Sequence, residues 1–207
     1  MHPNPAFRKT PHSLNVAFAR ERAFGMLAVN DAAGPLASHV PFLLSEDGGS
    51  AQLHLVRSNP IARLCATPQP AVLAVLGPDG YISPDWYGMD DQVPTWNYVA
   101  VHLRGTLHRA KTETLDTLLE RQSDFFERRL LPKTPWRPAK VPKGEMEKMM
   151  RMILPFRLEI VQVDGTWKLN QNKPEDVRRA AARHVAVDGY GHEVGALASL
   201  MRDPPGD

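Results

Sequence analysis

Proline and glycine interrupt this chain at nineteen and fourteen places in 207 residues. That density excludes a bundle of long helices, because proline removes a helical donor and both residues favour turns. The stretches left between the breaks are short, which points to strands with tight connections. The length suits one domain with a full core and is too short for two ordinary domains and a linker. We expect residues 1–190 to form that domain and residues 191–207 to add a C-terminal helix and tail.

Period-three and period-two patterns then divide the chain. Residues 12–23 place Leu14, Ala17 and Phe18 at helical spacing with Arg20, Glu21 and Arg22 opposite, predicting a short amphipathic helix. Residues 25–29, 35–44 and 51–57 read as strands joined by hairpins, residues 59–65 as a single helical turn, and residues 71–76 as a central strand ended by a turn at Gly77-Pro78-Asp79-Gly80. Over residues 96–110, Val99, Val101 and Leu103 alternate with Trp96, Tyr98, Ala100, His102 and Arg104. One face belongs in a barrel core, and the aromatic, polar face suits a groove or subunit contact.

Leucine and phenylalanine spacing predicts a helix over residues 112–131, prolines in residues 132–142 end it, and a shorter helix covers residues 143–152. Residues 156–163 and 167–169 read as a hairpin across Asp164-Gly165, and Pro174 opens the last long helix. Six or seven antiparallel strands with helices inserted late give a small barrel of the α+β class, mainly antiparallel β.

Composition narrows the chemistry. Apolar residues make up 43%, charged residues 23%, and the formal net charge is +2, which excludes a disordered chain and a polyanion binder driven by bulk charge. The lone cysteine, Cys65, closes no intrachain disulfide and sits between apolar neighbours, as a core residue would. No run reaches the length of a membrane helix and no apolar leader opens the chain, so a cytoplasmic protein without a membrane partner is expected. The histidines lack a cysteine partner, an H-E-x-x-H spacing or a close carboxylate, and no metal site is expected. Residues 121–151 hold nine Lys or Arg against four Asp or Glu. They read either as a solvated helix and loop or as a basic patch, with no helix-turn-helix to support the second.

Four segments carry more polar and aromatic residues than turns require. They are residues 38–41, 54–60, 81–98 and 168–173, and through the last three run H-x-x-R-x-N-P at His54–Pro60, G-P-x-x-Y-I-S-P-x-W-Y from Gly77, V-P-T-W-N-Y-x-A-V-H from Val93, and W-K-L-x-Q-N from Trp167. This succession resembles the PaiB family of FMN-binding negative transcriptional regulators over residues 1–190. The resemblance implies a split β-barrel with flanking helices, FMN as cofactor, a homodimer with flavin at the subunit interface, and gene regulation through DNA. The sequence departs from the family pattern at Asn170, where serine is expected, and at Ser58, where alanine is usual.

Under that resemblance the residues take roles that their chemistry supports. Arg57 offers a planar fork of donors for the phosphate, with Ser58 and Asn59 as neutral partners. His39 or His54 can hydrogen-bond the pyrimidine or ribityl edge, or serve structure alone. Trp96 and Asn97 combine a ring and an amide suited to an isoalloxazine, or hold a dimer seam. Lys168 and Gln171 bring a cation and an amide near the flavin, where positive charge favours its reduced anion. The alternative function is a flavin-dependent oxidoreductase or flavin reductase drawing on a small nicotinamide electron donor.

Overall fold

The structure, a computed structural model, describes residues 1–206, so Asp207 of the expected tail lies outside the described residues. Along the chain run α1 (His12–Arg22), β1 (Phe24–Asp31), β2 (Gly34–Leu44), β3 (Ser50–Val56), α2 (Pro60–Leu64), β4 (Gln69–Ile82) and β5 (Thr95–Arg109). Then follow α3 (Leu115–Glu127), α4 (Lys143–Arg151), β6 (Ile153–Lys168), α5 (Glu175–Asp188), β7 (Gly191–His192) and α6 (Val194–Arg202). The strand order is β1-β2-β3-β6-β5-β4-β7, and β1 also pairs with β4, so the order of the first six returns on itself. This is the α+β, mainly antiparallel split barrel with flanking helices.

The chain forms two compact units, and β4, β5 and β6 run through both. One unit comprises Ala23–Leu73 and Leu103–Gln162. Its strands alternate as the sequence does: β1 and β2 pair with Leu27 opposite Ser38 and Val29 opposite Leu36, while β3 sets Leu53 opposite Phe156 of β6. Phe42, Leu53, Phe156 and Leu158 are fully buried there, each worth about 1.5–3 kcal/mol of transfer free energy. Cys65 is buried as expected, and burial pushes its thiol up to about 11, so it is inert at neutral pH.

The second unit comprises Met1–Arg22, Ala74–His102 and the chain from Val163 on. Its core joins Ile82, Val99, Trp167 and Leu169 to the inner faces of α5 and α6, through Ala181, Val185, Leu197 and Met201. Arg178 of α5 fastens the helix pair by donating through Nη1 to the carbonyls of Met201 and Arg202, at 2.5 and 3.0 Å.

Two expected turns are strand instead. Gly77-Pro78-Asp79-Gly80 lies inside β4, and Asp164-Gly165 lies inside β6. In both places glycine serves close packing rather than a turn. A Cβ on Gly77 would stand 2.6 Å from Cζ of Phe18, and one on Gly165 would stand 2.0 Å from Oδ1 of Asn15. The Asn15 amide is itself held in place, accepting from Nε1 of Trp167 at 2.8 Å and donating to the Thr10 carbonyl at 3.2 Å. The helix expected over residues 112–131 is α3 flanked by 3₁₀ turns at Thr112–Thr114 and Arg128–Leu130. Among the described residues no helix is long and apolar enough to cross a membrane.

Candidate functional site

The nine residues singled out in the sequence fall into two clusters, one in each unit. The first gathers His39 on β2, His54 on β3, and Arg57, Ser58 and Asn59 in the turn between β3 and α2. That turn is rigid for reasons written in its residues. Asn59 caps α2, accepting from the Ile61 amide at 2.9 Å, while its own Nδ2 donates to Oγ of Ser38 at 2.8 Å. The Ser58 carbonyl accepts from Nη2 of Arg63 at 2.7 Å.

Arg57 is pinned from one side only. Its backbone amide donates to the Met152 carbonyl at 2.8 Å, and its Nε donates to the Arg151 carbonyl at 2.5 Å. Among the described residues neither Nη group has a partner, on an exposed side chain whose orientation is already fixed. A guanidinium held in this way presents a preformed fork to a phosphate or carboxylate.

The histidines differ in kind. His39 stacks on Phe24 with ring centroids 6.3 Å apart and planes at 21°. His54 is half-buried opposite Pro155, and burial holds its pKa below the ordinary range despite a hydrogen bond with Gln122. It is therefore neutral at pH 7, and its buried Nδ1 has no partner among the described residues.

The second cluster lies along the start of β5 and the end of β6. Trp96 is 39% exposed, donates from Nε1 to Asp79 Oδ1 at 3.0 Å, and meets Tyr81 and Tyr190 edge-on at 6.4 and 6.1 Å. Asn97, its neighbour in sequence, points to the other face of β5 and is fully buried, with neither Oδ1 nor Nδ2 hydrogen-bonded. Lys168 bridges the two strands, its Nζ donating to the Trp96 carbonyl at 2.9 Å and to Oγ1 of Thr95. Burial lowers the pKa of this ammonium. Gln171 turns back on its own strand, accepting from the Leu169 amide at 2.8 Å and donating to the Trp167 carbonyl at 2.5 Å. Between them Asn170 adopts a left-handed φ of 64° and donates to the Tyr87 hydroxyl at 3.2 Å.

A family described as "Putative FMN-binding domain" matches residues 1–162. The chain belongs to this FMN-binding family. Among curated relatives, the "Protease synthase and sporulation protein PAI 2" of Bacillus subtilis is 28% identical over 160 residues, 76% of either chain. Two solved structures share the fold. The FAD and heme binding protein of Mycobacterium smegmatis aligns with a TM-score of 0.56 at 17% identity, over 90% of this chain and 82% of that one. The flavocytochrome Anf3 of Azotobacter vinelandii aligns at 0.58 and 12% identity, over 93% and 80%.

FMN is the ligand that membership brings, and the chain's own groups fit its parts. The open Arg57 fork matches a terminal phosphate. His54 carries a buried Nδ1 without a partner among the described residues, a group of the kind that a ligand with ring carbonyls and hydroxyls satisfies. Sequence reasoning missed the supports: Gln122 beside His54, Arg151 behind Arg57, and Asp79 and Thr95 around Trp96 and Lys168. Each is distant in sequence from the residue it steadies, and only the tertiary fold brings them together.

Proposed function

We propose that the chain is an FMN-binding homodimer of the PaiB type, acting in gene regulation with FMN as its ligand. The observation that carries the reading is Arg57, fixed through Nε and open at both Nη groups. In this reading Arg57 holds the phosphate, with Ser58 and Asn59 shaping the turn. His39 and His54 serve the polar edges of the ligand. Trp96 serves its ring, Lys168 and Gln171 order the strand end beside it, and Asn97, buried on the opposite face of β5, stays on the strand's core side. Bound FMN supplies hydride and single-electron chemistry, while the protein contributes orientation and charge. His54 remains neutral and offers Nδ1 for a hydrogen bond.

One observation favours a second reading, a flavin-dependent oxidoreductase with a nicotinamide donor. The cations that a DNA contact would draw on in residues 121–151 are partly paired with their own carboxylates. Arg128 and Arg137 meet Asp124 at 2.7 and 3.8 Å, Lys148 meets Glu145 at 2.6 Å, and Lys133 meets Glu127. FMN-loaded protein settles the choice in two assays: retention on its own promoter DNA across a salt series, and anaerobic reduction by NADH or NADPH. The regulator predicts specific retention that falls steeply with salt and slow reduction. Fast reduction without specific retention would replace it with the enzyme.

A further inference from the structure

We propose that the cavity between α3 and α4 binds a small apolar organic cation. It encloses about 320 Å³, within the size range of small-molecule sites. Leu119, Trp136, Val141, Met146, Met150 and Ile153 form its apolar wall. None of them belongs to the nine residues singled out in the sequence. Methionine-rich walls adapt to the outline of a ligand, and an indole is the strongest cation–π partner among side chains.

The sign of the ligand's charge comes from Asp116 and Glu120, which line the same cavity, with no Lys or Arg among the described residues that line it. They stand four residues apart on one face of α3, a like-charge spacing that destabilises a helix. Among the described residues neither has a hydrogen bond or ion pair. The next acidic residue on that face is treated differently, since Asp124 is paired with both Arg128 and Arg137. The nearby Arg121 is turned to Oε1 of Gln52 at 3.2 Å. Two exposed carboxylates line an apolar cavity, and a cation with an apolar body matches both features.

The test uses full-length protein carrying methyl-labelled methionine, titrated with benzyltrimethylammonium and, separately, with its neutral isostere neopentylbenzene. The cation should shift the methyl resonances of Met146, Met149 and Met150 and leave that of the fully buried Met201 unmoved. The double variant Asp116→Asn, Glu120→Gln replaces two exposed side chains without altering their size, and should weaken the cation about tenfold. Ser123→Phe, which fills the cavity from α3, should abolish the shifts. The proposal is overturned if the cation moves none of the three methyls up to about 5 mM. It is overturned equally if the neutral isostere binds as tightly as the cation, or if the double variant binds the cation as the parent does.

Discussion

The Arg57 side chain donates once among the described residues, through Nε, and keeps the rest of its fork open. A hydrogen bond to a charged partner contributes about 1.5–3 kcal/mol. Arg57→Ala should therefore weaken FMN roughly ten- to a hundredfold in a fluorescence titration, with Arg57→Lys in between because an ammonium cannot reproduce the fork. Affinity unchanged in Arg57→Ala would remove the phosphate role. His54 makes a prediction in pH. Its pKa in the folded protein lies below the ordinary value because burial disfavours the imidazolium. The unfolded chain then binds more protons at this site, so stability is fully present above the ordinary histidine pKa of about 6.5 and is lost as pH falls below it. In His54→Gln the drop in melting temperature between about pH 7.5 and pH 5 should be shallower than in the parent. Parallel curves would show that His54 is not the group involved.

At the level of elements, hydropathy alternation carried most of the information. Val99, Val101 and Leu103 are inward on β5 as their period requires, and Trp96 stays partly exposed on the opposite face. What the local pattern could not disclose was why glycine stands where it does. Gly77 and Gly165 look like turn residues in a linear reading, yet both lie in unbroken strands because Phe18 and Asn15 leave no room for a Cβ. A close approach is set by a partner distant in sequence, and no window of neighbouring residues contains it. The same reason explains why Lys168 was legible as a cation while its partners Thr95 and Trp96 on β5 were not. Gly165→Ala should overpack against Asn15 and cost about 1–3 kcal/mol, seen as a fall of several degrees in Tm. A Tm equal to the parent's would mean that Asn15 yields freely and that this packing is not what keeps glycine there.

At the scale of the whole molecule, a formal charge of +2 leaves association to surfaces rather than to bulk electrostatics. Trp96, Tyr190, Leu76 and Val93 are each more than a third exposed in the same unit, and Trp96 meets Tyr190 edge-on at 6.1 Å, an aromatic surface that a second copy can cover. Light scattering at micromolar concentration should give twice the chain's 23.1 kDa. A monomeric mass with flavin bound would separate ligand binding from dimerisation. The central claim is that this chain recognises FMN through its phosphate, and competition between FMN and riboflavin for the flavin-free protein tests it most directly. The account predicts that FMN quenches on binding at least about tenfold more tightly than riboflavin, and that Arg57→Ala erases the difference. Equal affinity for the two flavins in the parent protein, or binding of neither, would contradict it.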